Sequence, residues 1–477
     1  MKWHAYPEYK ASGVEWLDNV PQHWVVTRLR RCGTIQSGVT LGKEYPEELS
    51  ESRPYLRVAN VQDGYLDLTE IRETVVPSAD ASRFELRPGD VLMTEGGDFD
   101  KLGRGCVWHG QIAGCLHQNH IFAVRPDTSK LIAEYLSLAM TSNVGKYHFT
   151  RTSQQSTNLA TTNQAKIKDF AFPLPPLSEQ RAITDFLNAE TARIDVLSAR
   201  KQDLIDRIKE KRAALIFRAV THGLPSNTAA AAGLDPAPPL KSTGIDWIAE
   251  VPRHWTLTRL RRCATIQTGV TLGKEYPEEL SESRPYLRVA NVQDGYLDFT
   301  EIKETVVLSA EASRFELRSG DVLMTEGGDF DKLGRGCVWY GEVAGCLHQN
   351  HIFAVRPDTR KLIPEYLSLA MTSDVGKHHF TRTAQQSTNL ATTNQSKIKD
   401  FAFPLPPLPE QRAILDWMAL QETRFRNVEG RMRDAIGELE EYRSALITAA
   451  VTGKIDVRGW QSGARACGIA ASGASGG

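Results

Sequence analysis

The chain lacks any run approaching the ~18 consecutive apolar residues that a membrane span requires. Its first ten residues, MKWHAYPEYK, also lack the apolar stretch of a secretory leader. Both absences argue against a membrane or exported protein, and a cytoplasmic one is expected. Excess charge of one sign is missing too: 57 Lys and Arg face 58 Asp and Glu. No global basic field advertises a nucleic acid, although a local patch does not depend on the sum. Cysteine is scarce, with seven in 477 residues. Cys32, Cys106 and Cys115, their counterparts Cys263, Cys337 and Cys346, and Cys467 make an odd number that suits free thiols rather than a disulfide framework.

Recognisable catalytic motifs are absent as well. GVTLGK, Gly38 to Lys43, hints at a phosphate loop. It has three residues between its glycines, and Glu44 stands where a magnesium-binding Ser or Thr belongs. EGGDFDKLGRG does not have dinucleotide-loop spacing. No Asn/Asp-Pro-Pro-aromatic tetrad of an amino-methyltransferase occurs, nor a clear nuclease set of paired carboxylates with a lysine. Cys106, Cys115, His117 and His120, repeated at Cys337, Cys346, His348 and His351, have the chemistry of zinc ligands. They lack knuckle spacing, and Cys106 lies in a strand-like GCVW where a buried thiol is the usual state. No metal or cofactor is expected on this chain.

What the sequence does contain, it contains twice. DVLMTEGGDFDKLGRGCVW runs from Asp90 to Trp108 and returns unchanged from Asp321 to Trp339. A shift of 231 residues superposes Trp24 on Trp255, Cys115 on Cys346, Gln180 on Gln411 and Val220 on Val451 without a gap. Only about 19 of the 160 paired positions between Trp24 and Ile183 differ. A unit this long can bury its own core, so it is a duplicated domain and not a solenoid repeat.

Within each repeat, short β-rich runs (RPYLRVANV, GDVLM, HIFAVRP) alternate with turn signals, and SKLIAEYLSLAMTS reads as one helix. At FPLPPLSEQRAI the texture changes: prolines end the sheet pattern, and Ser178 with Glu179 is expected to cap a helix. A heptad seam follows through Ile183, Leu187, Glu190, Ile194, Leu197, Lys201, Leu204, Ile208, Lys211 and Leu215. Its copy runs from Ile414 to Leu446. Some 40 residues at about 1.5 Å each make a rod of about 60 Å. Two equal seams are expected to pair antiparallel, with Leu197 and Val428 inside, where aspartate would cost several kcal/mol. The fold class is therefore α+β: two globular α/β domains, each followed by a long helix, the helices forming an antiparallel coiled coil. The boundaries are expected at 1–177 for the first domain, 178–222 for its helix and 223–242 for an Ala/Pro-rich linker. The second domain then spans 243–408, its helix 409–453 and a tail 454–477.

Three polar stretches concentrate the groups that read bases and hold phosphates. TEGGDFDKLGRG supplies Glu95, Asp98, Lys101 and Arg104; HQNH supplies Gln118, Asn119 and His120 beside His117; TRTSQQSTNLATTNQ supplies Arg151, Gln154, Gln155, Ser156 and Asn158. Lys43 joins them as a cation on a glycine loop. In the second copy the DNA-binding candidates are Lys274, Glu326, Asp329, Lys332, Arg335, Gln349, Asn350, His351, Arg382, Gln385, Gln386, Ser387 and Asn389. Gln154, Gln155 and Asn158 suit base edges; Lys101 and Arg104 suit phosphates.

The order PYLRVANVQDGYLD, GDVLMTEGGDFDKLGRGCVW, HQNHIFAVRP, QSTNLATTNQAKIKDFAFPLPPLSEQRAI and EYRSALITAAVTGKIDV resembles the specificity subunit of type I restriction-modification systems over almost the whole chain. That resemblance implies two target-recognition domains, separated by an antiparallel helix pair and each reading half of a bipartite double-stranded DNA site. It implies no catalytic residue here. Two methyltransferase subunits would supply S-adenosylmethionine chemistry at adenine N6, and restriction subunits ATP- and Mg-dependent translocation and cleavage. Such subunits usually carry dissimilar recognition domains, whereas these two are almost the same, so the site is expected to be palindromic. A self-contained DNA-modifying enzyme is the alternative that S-adenosylmethionine or metal binding would revive. A coiled-coil scaffold is the one that DNA binding would exclude.

Overall fold

The computed structural model describes residues 3–97, 105–155, 160–293, 295–328, 336–386 and 391–461. The chain divides into two compact units, one of residues 1–201 with 433–477, the other of residues 202–432.

The first unit is built around a four-stranded antiparallel sheet in the order Gly33–Ser37, Ile121–Pro126, Val91–Thr94, Gly105–Val107. HIFAVRP lies in its interior and is apolar almost throughout because both faces are covered. Alternation sorts its side chains: Phe122 and Val124, with Val91 and Met93, join a cluster containing Tyr135, Leu136 and Met140. Ile121 and Ala123, with Leu92, join Leu86, Cys106, Trp108 and Cys115 on the other side. A second sheet, Leu116–His117, Ser50–Leu56, Arg72–Pro77, and a small third one, Gln154–Gln155, Ala160–Thr161, Gly96–Gly97, complete the β structure that carries the site.

The expected helix is present at Ala133–Thr141, and three more accompany it at Ser78–Phe84, Asn143–Thr152 and Gln164–Lys168. NVGKYHFTRT is a poor helix former by propensity, but burial of Val144 and Phe149 holds it.

The first long helix is Leu177–His222. It starts one residue before the expected cap, so Ser178 lies inside the first turn, where its counterpart Pro409 is equally at ease. Glu179 does not serve as a surface first-turn charge. Its carboxylate is buried and accepts from Tyr6 Oη at 3.0 Å and Trp24 Nε1 at 3.0 Å, with His23 Nε2 at 2.6 Å. Gln180, fully buried, accepts from the Ile132 amide at 2.9 Å and donates to the Lys130 and Pro175 carbonyls, each at 2.8 Å. The PLSEQRAI element thus ties the helix start to its own domain. Glu410 and Gln411 repeat the arrangement in the second unit, apart from the Tyr6 bond, whose counterpart position is Ala237.

The first unit's core contains Ile183, Phe186, Leu187 and Ile194 from this helix together with Leu446, Ile447, Ala450 and Val451 from the end of the second long helix, Leu408–Val451. Arg443 pairs with Asp195 at 3.5 Å along the same contact.

The second unit has the same four-stranded order, Ala264–Thr268, Ile352–Pro357, Asp321–Thr325, Gly336–Trp339. Its core takes Ala219 and Val220 from the end of the first long helix beside Ile414 and Met418 from the start of the second. Arg212, the counterpart of Arg443, pairs with Glu422 at 2.7 Å. In each unit the beginning of one long helix lies against the end of the other, so the packing is antiparallel, as the seams predict.

The detail of the seam differs from the sequence reading. Leu197 and Val428, expected inside, are 39% and 42% exposed, and Leu204 is exposed beside a buried Ile205. An α-helix turns every 3.6 residues, so a strict 3.5-residue stripe drifts about 20° per heptad and the burial moves to the next position. The Ala/Pro-rich stretch expected as a tether contains a short helix, Ser226–Ala231, with Ala229 buried. Among the described residues, no helix is long and apolar enough to cross a membrane.

Candidate nucleic-acid interface

The three polar stretches picked from the sequence meet at one edge of each unit. Gly96–Gly97 pairs with Ala160–Thr161, which pairs in turn with Gln154–Gln155, joining the first polar stretch to the third. The HQNH turn reaches the same edge through Glu95, whose amide donates to the His120 carbonyl at 2.8 Å and whose carbonyl accepts from the Thr162 amide at 2.8 Å. Across this backbone link the side chains also meet, His120 Nδ1 and Glu95 Oε2 being 2.5 Å apart.

The glycine loop closes the cluster. Val39 donates to the His117 carbonyl at 2.8 Å and accepts from the Asn119 amide at 2.9 Å. A Cβ at Gly38 would collide with the His117 carbonyl, so only glycine permits this approach. Lys43, five residues beyond Gly38, is exposed. Gly38, Val39 and Thr162 are the framework residues that motif reading missed. The glycine shared by both copies is their one sequence signal, and the phosphate-loop motif does not single it out.

The remaining candidates sort by position. Gln118 and Asn119 are half-buried on the turn, and His120 is exposed. Arg151 ends the Asn143–Thr152 helix and turns toward Glu15, at 2.8 Å, and Tyr147 Oη, at 3.2 Å, so its guanidinium is engaged at the N-terminal hairpin. Arg382, its counterpart, faces Asp246 at 3.7 Å and lies over the Trp247 ring. Gln154 and Gln155, like Gln385 and Gln386, are placed on their short strands by backbone pairing. Asp98, Lys101, Arg104, Ser156 and Asn158, with Asp329, Lys332, Arg335, Ser387 and Asn389, lie outside the described residues.

His117 is no surface reader. It is fully buried, its Nδ1 lies 2.9 Å from the Ile121 carbonyl oxygen, and burial pushes its pKa down to about 4. Cys106 and Cys115 are core thiols that burial pushes up to about 12, opposite to what a thiolate ligand needs. Asp90, also buried, receives a bidentate pair of bonds from Arg125 at 2.7 and 2.6 Å and fixes the strands beneath the turn.

In the second unit the edge recurs contact for contact. His351 Nδ1 is 2.5 Å from Glu326 Oε2, Glu326 donates to the His351 carbonyl at 2.8 Å, and Gly327–Gly328 pairs with Ala391–Thr392. Lys274 is exposed, and Gln349 and Asn350 occupy the turn. Elsewhere the copies diverge. A cavity of about 720 Å³ in the second unit is lined by Phe299, Tyr340, Glu342 and Glu365. Its first-unit counterpart, about 590 Å³, presents Leu68, His109, Gln111 and Glu134. Substitution between the copies has changed the lining of these cavities at three of the four positions named, whereas the three polar stretches differ only at Ser153, which is Ala384 in the second copy.

Comparison with known proteins gives a concordant result. The family model described as "Type I restriction modification DNA specificity domain" matches twice, at residues 21–206 and 252–421. The type I restriction enzyme EcoKI specificity subunit of Escherichia coli strain K12 is 23% identical over 469 residues, covering 93% of this chain and 91% of its own. The EcoBI specificity subunit of Escherichia coli is 19% identical over 456 residues, covering 94% and 90%. Among solved structures, a chain from work on complex assembly and conformational transition of the type I R-M system superposes with a TM-score of 0.64. It is 18% identical, covering 91% of this chain and 99% of its own.

Proposed function

The chain belongs to the family of type I restriction-modification DNA specificity subunits, and from that premise we propose that its two polar edges read the two halves of one inverted-repeat DNA site. It is the DNA-recognition subunit of such a system and not itself an enzyme. In this reading residues 1–177 and 243–408 are the recognition domains and the long helices set the spacing between half-sites. Double-stranded DNA is one partner; two methyltransferase subunits, which would carry S-adenosylmethionine to adenine N6, and restriction subunits using ATP and Mg are the others. With DNA as its substrate, the assembly in this reading works in the cytoplasm.

One observation carries the inverted repeat. The same edge, Glu95 with His120 and Glu326 with His351, is built twice. Each copy belongs to a unit whose core is completed by the end of the other repeat's helix. What the first half lends the second, the second lends the first, the reciprocity that a homodimer of either half would show. Two nearly identical readers paired in that way meet the same bases on opposite strands, as the halves of a dimeric repressor do. A map of methylated adenines in the host genome should therefore show a short half-site, an unspecified spacer and the inverted copy. Two unrelated half-sites would refute the symmetry.

A further inference from the structure

Resting on that reading, we propose that Glu95–His120 and Glu326–His351 are fixed hydrogen-bond acceptors that read an exocyclic amino group, adenine N6 or cytosine N4, in the major groove of each half-site. The backbone beneath the pair is pinned from several sides. The Ile121 amide closes the turn onto the Gln118 carbonyl at 2.9 Å, Asn119 is held by Val39, and Glu95 is bonded on one side to His120 and on the other to Thr162. On this base the imidazole is 55% exposed and the carboxylate 33% exposed, so both reach solvent without being free to wander.

Chemistry fixes what the exposed atoms offer. A carboxylate has only lone pairs, so the proton in the 2.5 Å contact sits on His120 Nδ1. A neutral imidazole with its proton on Nδ1 carries a lone pair on Nε2. The pair therefore presents Nε2 and the second carboxylate oxygen, acceptors both. In the major groove adenine N6 and cytosine N4 are the amino donors, whereas guanine N7 and O6 and thymine O4 are acceptors. The pair attracts the first two and repels the others, so selectivity comes from a penalty as well as from a bond. The second unit repeats the geometry, 2.5 Å with 55% and 32% exposure.

The test uses the full chain co-expressed with its methyltransferase partner and duplexes carrying the mapped site, at pH 8. Each adenine is replaced in turn by purine, and each cytosine by 2-pyrimidinone, which removes only the amino group. One position per half-site should cost the native protein about tenfold in affinity and cost His120→Ala/His351→Ala nothing further. Equal losses in both proteins at every position would overturn the proposal. Glu95→Gln/Glu326→Gln, which keeps the shape but frees the ring to take either tautomer, should admit guanine or thymine at that position. Unchanged selectivity in that variant would also count against it. Native protein that binds its site no better than an unrelated duplex would instead sink the DNA-recognition reading, a distinguishable result.

Discussion

His117 and His120 lie three residues apart and have opposite roles. The strand pairing of Leu116–His117 with Tyr55 and Leu56 carries His117 inward, while the turn that follows leaves His120 outside. Burial is the leading cause of the low pKa of His117, about 4, and the Ile121 carbonyl and the Asp90 carboxylate only partly oppose it; His348 repeats this at about 4. Because the folded value lies below the ~6.5 of an unfolded chain, the unfolded state holds the extra proton between those limits. The contribution to stability is complete above pH 6.5 and is lost as the pH falls toward 4, by up to about 3 kcal/mol per histidine. Urea midpoints measured across this window should fall steeply for the native chain and more gently for His117→Gln/His348→Gln. Equal slopes would show that the two rings do not titrate as buried groups.

At the scale of elements, the long helices are held mainly where they meet the globular cores. Leu446 is buried with Ile183 and Leu187, while Leu197 and Val428, on the expected stripe, face solvent to about two-fifths of their area. Leu446→Asp should therefore destabilise by several kcal/mol, because it places a charge among apolar side chains with no partner. Leu197→Asp/Val428→Asp should cost about 1 kcal/mol or less, as surface substitutions do. Thermal unfolding of the two variants side by side decides the point, and a larger loss from the second would restore the original seam.

For the whole molecule, the exchange of helix ends makes each half-chain incomplete by itself. The first unit lacks its full core without Leu446, Ile447, Ala450 and Val451. The first repeat already owns the same four residue types at Leu215, Ile216, Ala219 and Val220. Two copies of a chain ended near residue 225 should thus fill each other's cores as the intact chain fills its own. Sedimentation should find a stable dimer, and a soluble folded monomer at micromolar concentration would contradict the exchange. The dimer should also retain the half-site preference of the intact chain, since its reading edge differs from the second one only at Ser153, which is Ala384 there.

The sequence by itself determined the duplication, the change from sheet to helix at PLPPLSEQRAI, the two long helices and their antiparallel pairing, and the concentration of polar residues in three stretches. Each of these is written either as identity along the chain or as a local period, and both survive without knowledge of contacts. Only the tertiary structure decided which of those polar groups meet. Glu95 and His120 are brought together by a strand order that no periodicity records, and Glu179 turns inward because Tyr6 and Trp24 offer donors from more than 150 residues away. The structure likewise moved burial from Leu204 to Ile205, since a helix of 3.6 residues per turn does not follow a stripe of 3.5. It also assigned each helix end to the other repeat's core, a choice that two nearly identical sequences leave degenerate and that only the antiparallel packing resolves.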